Sequence, residues 1–242
     1  MKTFISDLHL GDGSKADDFH FDTELHRFLV VYPNTKILGD GHEFWQADWD
    51  KIVWAHPAVS QQLLLAISQG NYFYGNHDYL PFAKICPEFY EDDLIFAQHG
   101  HQHDVFNKNQ NPMQSLKKPK TPIGKYITQV VGWLERLIHP DMDDYLLQLK
   151  KKHGDFLWIA AELQNKENEL ARSQKYNLSS KKITIEGHSH EPDVIKFPTG
   201  KIYANCGSWV GSEPTYIQVN DNTVQLRDGL DYRVIKEVKI YE

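Results

Sequence analysis

Short apolar runs alternate with amphipathic stretches through the first hundred residues. Lys2–Ser6 and Thr35–Leu38 each run into an acidic residue, Asn71–Tyr74 runs into Gly75, and Leu94–Gln98 runs into His99. Their length and composition predict buried strands. Between them, Asp22–Val31 places Leu25, Phe28 and Leu29 at helical spacing, and Asp50–Gln69 does the same with Ile52, Val53, Leu63, Leu64 and Ile67. Strands alternating with helices predict βαβ units and a largely parallel sheet, in which the loops at the carboxyl ends of strands collect functional groups. From residue 182 the pattern turns to β, with Lys182–Glu186, Asp193–Phe197, Lys201–Ala204, Thr215–Val219 and Thr223–Arg227 as short alternating runs. Pro198-Thr199-Gly200 and Asn220-Asp221-Asn222 supply turn chemistry between them.

Residues 105–182 interrupt this order. Pro122–Leu137 and Asp144–Gln174 repeat apolar residues at three- and four-residue steps, and Pro140 marks the break between them. The segment carries fourteen Lys and Arg against eight Asp and Glu, in a chain of 242 residues whose net charge is −7. It is expected to be a helical insertion within one domain spanning 1–242. Its basic runs, Lys117-Lys118-Pro119-Lys120 and Lys150-Lys151-Lys152, suit a solvated face, or attraction to anionic headgroups or a polyanionic substrate. Two cysteines, Cys86 and Cys206, are too few for a disulfide framework, so a cytoplasmic setting is expected. No apolar run approaches the ~20 residues that cross a bilayer.

Thirteen histidines change the picture, because many fall in five polar clusters placed just after predicted strands. The clusters are Asp7-Leu8-His9, Gly39-Asp40, Gly75-Asn76-His77-Asp78, His99-Gly100-His101 and Gly187-His188-Ser189-His190. Carboxylate, imidazole and amide oxygen, without thiolate, form a ligand set for borderline divalent ions and argue against a structural zinc site. Asp-x-His and His-x-His put both side chains on one face of an extended segment. Seven ligands exceed what one tetrahedral ion needs. They suit two ions ~3.5–4 Å apart that share a bridging carboxylate and hold a hydroxide for in-line attack on phosphorus.

The same series resembles the calcineurin-like metallophosphoesterases. The resemblance covers all five motifs and spans residues 3–209 apart from the insertion. It implies a four-layer αββα sandwich, an α/β fold of two mixed β-sheets flanked by helices. Residue by residue, it implies that Asp7, His9 and His190 hold one ion, that Asn76, His99 and His188 hold the other, and that Asp40 bridges them. Mn²⁺ is the first choice, with Fe or Zn²⁺ as alternatives. His77 matches the catalytic histidine that contacts phosphate and protonates the leaving oxygen, with Asp78 orienting that imidazole. Glu43, His101 and Asn205 are weaker candidates for orienting these groups or touching substrate.

A narrower resemblance runs through Ser6-Asp7-Leu8-His9-Leu10-Gly11, Gly39-Asp40-Gly41-His42-Glu43-Phe44-Trp45 and Asn205-Cys206-Gly207-Ser208-Trp209 to the UDP-2,3-diacylglucosamine pyrophosphatase branch. That branch implies cleavage of a nucleotide-linked lipid or sugar pyrophosphate at the inner face of the membrane, with the insertion as a lid. The chain departs from it at His77, where arginine is usual, and at Gly41-His42, where an apolar pair is usual. A cytosolic phosphatase, cyclic-nucleotide phosphodiesterase or nuclease of the same superfamily is the alternative. Long nucleic acid is disfavoured by the net negative charge. A non-catalytic scaffold is disfavoured because every expected ligand type is present.

Overall fold

The computed structural model describes residues 1–15, 17–44, 47–78, 82–101 and 181–241. The chain runs β1 (Lys2–Ile5), α1 (Asp22–Val31), β2 (Lys36–Leu38), α2 (Trp49–Ala55), α3 (Pro57–Ser68) and β3 (Tyr72–Phe73), then β4 (Phe89–Glu91) and β5 (Ile95–Gln98). It continues with β6 (Ile183–Glu186), β7 (Asp193–Lys196), β8 (Ile202–Asn205), β9 (Thr215–Val219), β10 (Thr223–Asp228) and β11 (Val234–Lys239). Six strands form one sheet in the order β11-β10-β9-β1-β2-β3, and five form another in the order β4-β5-β6-β8-β7. In the first, β1, β2 and β3 are parallel, while β9, β10 and β11 add on antiparallel. In the second, β5, β6 and β8 are parallel, with β4 and β7 antiparallel at the edges.

Strand alternation decides what lies between the sheets. Phe4, Leu38, Phe73 and Ile217 point inward from the first sheet and pack on Ile95, Ala97, Ile183, Ile185 and Ile202 of the second. Their neighbours Ile5, Ile37, Tyr72 and Tyr216 point to the opposite face, where Leu25 and Phe28 of α1 and Val59 and Leu63 of α3 cover them. Each such side chain, once fully buried, contributes about 1.5–3 kcal/mol. Three layers of the expected αββα sandwich are therefore seen. A second helical layer is not found among the described residues, and the expected insertion lies outside them except for Lys181 and Lys182.

One predicted helix becomes two. Pro57 has no N–H to donate and disfavours helical backbone at the residue before it, so His56 sits at φ −125°, ψ 57° between α2 and α3. This corner carries a histidine–carboxylate cluster, buried at His56 and Asp17 and open to solvent at Asp22. His56 Nδ1 faces Asp22 Oδ1 at 2.9 Å and its Nε2 faces Asp17 Oδ2 at 2.8 Å. Asp17 in turn accepts the N–H groups of Gly11, Gly13 and Phe19, which holds the loop after β1 against the helices. Burial alone would lower the pKa of His56, but its hydrogen bonds to Asp17 and Asp22 raise it. Because the folded value lies above the unfolded one of about 6.5, the stabilisation is complete below about that pH and fades as pH rises through the folded value. A His56→Gln protein is expected to lose about 1.5–3 kcal/mol at pH 5.5 and distinctly less at pH 9, measured by urea unfolding at both.

Candidate metal centre

All five polar clusters leave the carboxyl ends of strands that run parallel within their own sheet. Asp7 and His9 follow β1, Asp40 follows β2, Asn76 to Asp78 follow β3, His99 follows β5, and His188 and His190 follow β6. Backbone bonds zip the first two loops together, the N–H groups of Leu8 and His9 both donating to the carbonyl of Asp40 at 2.9 Å. The two sheets are joined across the site where the N–H of His188 donates to Asp7 Oδ2 at 2.8 Å. Gly187 permits that closeness, since a Cβ there would lie 2.1 Å from Ser6 Oγ and 2.4 Å from Asp7 Oδ2.

Among the described residues three trios of potential ligands result, one of them made by His9, Glu43 and His77 and the other two by the expected donors. Asp7, His9 and His190 form one, and Asp40, His99 and His188 the other, with the ligand atoms of each trio within 4.8 Å of one another. His190 Nε2 lies 3.2 Å from Asp7 Oδ1, and His99 Nε2 lies 3.0 Å from Asp40 Oδ2. His99 Nε2 is also 3.1 Å from Asn76 Oδ1 and 3.9 Å from Asp7 Oδ1, which links the trios. The structure thus gathers all seven donors named from the sequence.

The outer nitrogens are anchored. His99 Nδ1 donates to the carbonyl of Leu38 at 2.8 Å, and His9 Nδ1 pairs with Glu43 Oε2 at 2.9 Å. Such partners fix the tautomer that turns Nε2 toward a cation. Within the cluster, Asp7 Oδ1 and His9 Nε2 are buried with no hydrogen-bond partner. Polar atoms left so are costly, and a divalent cation would satisfy both. By that test the residues fit a metal.

Backbone strain marks the same positions. Asp7, His9, Asp40, His188 and His190 have φ between 48° and 66°, and Tyr232 is the one other non-glycine residue so placed among the described residues. Left-handed backbone costs a non-glycine residue about 1–3 kcal/mol and persists where the surroundings over-determine it. Here it turns successive side chains of tight loops into one small volume.

Charge balance follows from the same closeness. Burial alone would raise the pKa of Asp7, but His99 and His190 hold it well below the usual range. Burial opposes ionisation of Asp40 as well, and His99 and His77 overcome it. His99 is pushed up to about 9, because Asp40 and Asp7 outweigh its burial. A proton must therefore leave His99 before Nε2 can take a cation, and metal uptake at neutral pH releases protons.

His77 lies at the mouth of this cluster, with its ring 4.7 Å from that of His9. The expected pairing of His77 with Asp78 is not what the structure shows. Glu43 Oε2 faces His77 Nδ1 at 2.5 Å, and the same oxygen faces His9 Nδ1. Asp78 instead accepts from the hydroxyl of Tyr72 and the N–H groups of Gly41 and Gly75. The reason is geometric: Asp78 closes the turn beneath the loop, whereas Glu43 arrives from the neighbouring loop on the side where His77 points. Burial would raise Glu43, but His77 and His9 bring it down to about 2. Burial and then the charge of Asp40 push Asp78 up to about 7. His77 itself is raised, since Glu43 and Asp40 outweigh its burial.

The weaker candidates fall nearby. Asn205 donates from Nδ2 to the carbonyl of Gly187 at 2.9 Å and to Ser189 Oγ at 3.1 Å, bracing the loop that carries His188 and His190. His101 is buried with its ring 5.4 Å from that of His99. Of the aromatic residues in the Gly39–Trp45 motif, Phe44 packs against the helical core and Trp45 lies outside the described residues. Sequence reasoning missed Tyr72, which reads as one more aromatic in a strand, and no local signal ties it to Asp78.

No family model matches the chain. Its sequence relatives, the two-sheet fold and the histidine–carboxylate cluster fit the calcineurin-like metallophosphoesterases and support a phosphoester hydrolase. The relatives are UDP-2,3-diacylglucosamine hydrolases. That of Shewanella pealeana is 27% identical over 263 residues, covering 93% of this chain and 97% of its own, and that of Shewanella halifaxensis is 26% identical over the same span. Among solved structures, the phosphoesterase Yfce from E. coli aligns over 98% of both chains at 12% identity with a TM-score of 0.46.

Proposed function

We propose that the protein is a dinuclear metal-dependent hydrolase that cleaves the pyrophosphate of a nucleotide-linked lipid or sugar, of the UDP-2,3-diacylglucosamine kind. The observation that carries the reading is the pair of donor trios linked through His99, with two buried ligand atoms, Asp7 Oδ1 and His9 Nε2, that have no hydrogen-bond partner. Asp7, His9 and His190 would hold one cation, and Asn76, His99 and His188 the other, with Asp40 between. Mn²⁺ is the preferred ion and Fe or Zn²⁺ the alternatives, all suited to the same nitrogen and oxygen donors. When bound, such ions supply Lewis acidity at the phosphoryl oxygens and lower the pKa of water for in-line attack.

The chain's own residues do the rest. Glu43 and Asp40 raise the pKa of His77 against its burial, and Glu43 holds its Nδ1, which would leave Nε2 for substrate. His77 is placed to stabilise charge on the phosphoryl oxygens and to protonate the leaving oxygen. Glu43 couples the two functions, because one carboxylate oxygen orients both a metal-facing and a substrate-facing imidazole. The similarity to UDP-2,3-diacylglucosamine hydrolases along nearly the whole chain supports the substrate class. Among the described residues no helix is long and apolar enough to cross a membrane. A cytoplasmic protein resting on the inner face of the membrane through its basic segment fits a lipid-linked substrate.

The deciding experiment is a hydrolysis panel with added Mn²⁺, containing UDP-2,3-diacylglucosamine, simple nucleoside diphosphate-sugars, cyclic nucleotides, monoesters and single-stranded DNA. Release of UMP from the acylated substrate at the highest kcat/KM is expected. Preference for a cyclic nucleotide, a monoester or DNA would reassign the substrate and leave the metal chemistry standing.

A further inference from the structure

Two side chains beside the metal cluster, His42 and Tyr72, have neither a ligand position nor a proton to give to substrate. We propose that His42, Tyr72 and Asp78 form a buried hydrogen-bonded brace that positions Asp40, which makes Tyr72 and Asp78 positioning residues. The inference rests on the dinuclear reading above.

Asp78 ties together the two backbone stretches that enclose Asp40. Its Oδ1 accepts the N–H of Gly75 at 2.6 Å, and its Oδ2 accepts the N–H of Gly41 at 3.0 Å. Gly41 directly follows Asp40, whose backbone sits at φ 50°. Gly75 abuts the Asp40 side chain so closely that a Cβ there would lie 2.1 Å from Asp40 Oδ1. The same turn delivers the N–H of His77 to Asp40 Oδ1 at 2.8 Å. The carboxylate of Asp78 is therefore the common anchor of the walls on both sides of Asp40.

Tyr72 and His42 set the anchor in place. Tyr72 is fully buried on β3, and its hydroxyl lies 2.5 Å from Asp78 Oδ2 and 3.0 Å from His42 Nδ1. A phenol has one proton; given to the carboxylate, it leaves the phenol oxygen to accept, so His42 donates its Nδ1–H. Nε2 is then a bare lone pair, and it has no hydrogen-bond partner. The ring is held among Phe44, Trp49 and Phe82. Gly41 completes the arrangement, since a Cβ at that position would lie 2.3 Å from the Tyr72 hydroxyl. Glycine admits the hydroxyl and histidine feeds it a proton, so Gly41 and His42 act as a matched pair.

Tyr72→Phe, His42→Phe and the double variant test the brace, with Mn²⁺ uptake followed by equilibrium dialysis. In Tyr72→Phe, the Mn²⁺ affinity and kcat are each expected to fall about tenfold, the worth of one hydrogen bond to a charged acceptor. KM should stay within about twofold, as for a loss confined to the reacting geometry. His42→Phe should lower both about threefold and add nothing to Tyr72→Phe, because it acts through that hydroxyl. Nitrogen NMR of the wild-type imidazole should show the Nδ1–H tautomer. A Tyr72→Phe protein with wild-type affinity and kcat, additive effects in the double variant, or an Nε2–H tautomer would each overturn the brace. Should Tyr72→Phe fail to fold by circular dichroism, His42→Phe and the tautomer decide the matter. A wild-type protein that takes up no Mn²⁺ overturns the dinuclear reading and the brace's role with it; wild-type uptake with an unaffected Tyr72→Phe protein overturns the brace alone.

Discussion

Replacing Asp40 with alanine is expected to remove tight binding of the second Mn²⁺ ion and to bring turnover below detection. Asp40 Oδ2 lies 3.0 Å from His99 Nε2, and Oδ1 accepts the N–H of His77 at 2.8 Å. Its charge also offsets those of His99, His77 and His9, the cations that hold its own pKa down. The neighbouring carboxylates have other partners, Asp7 with His9 and His190, Asp78 with Tyr72, Gly41 and Gly75, and Glu43 with His9 and His77. The loss should exceed the 10–100-fold that follows removal of an outer partner of a metal ligand, since about that much attends the supporting shell alone. Elemental analysis of dialysed protein gives the stoichiometry, and Asp40→Asn separates charge from shape. An Asp40→Ala protein that still retains two ions would remove the bridge from the scheme.

Replacing His77 with alanine should leave two ions bound while lowering kcat about 10²–10⁴-fold, the range expected of a general acid. The defect should be greatest with poor leaving groups and should shrink with nitrophenolate esters, which need little proton assistance. Glu43→Gln makes a sharper companion. It loosens His9 and His77 together, so Mn²⁺ affinity and kcat should both fall, each by about 10–100-fold. If Asp78 were the partner of His77, Glu43→Gln would instead spare kcat at saturating Mn²⁺. Measuring affinity and kcat on both variants separates the two pairings. Because Glu43 and Asp40 raise the pKa of the imidazole, the wild-type rate should also decline at alkaline pH as its proton is lost.

Much of the fold could be read from the chain. Asp22–Val31 is helical over the span its apolar spacing predicts, and the strands after residue 182 fall within a residue or two of their alternating runs. Two strands escaped notice for a shared reason. β4 is three residues long, β11 is almost wholly exposed, and both lie at sheet edges, so neither carries the buried alternation that marks a strand. The break at His56 was also there to be read in Pro57.

The metal-ligating types were legible because each cluster is local. A carboxylate or imidazole set directly after a strand, beside a glycine, is visible in a few consecutive residues, and parallel strands send such loops to one edge. Partnership between the clusters is another kind of fact. His77 and Asp78 are neighbours in sequence, yet their side chains leave the turn in different directions. Glu43 and Tyr72, remote from both, fill the space each one faces. Residue type and local order thus set which atoms are available to bind a cation. Which atom meets which, and which imidazole nitrogen keeps its proton, depends on how two sheets stack and how tightly loops from distant strands are forced together. That is a property of packing, and no window of neighbouring residues contains it.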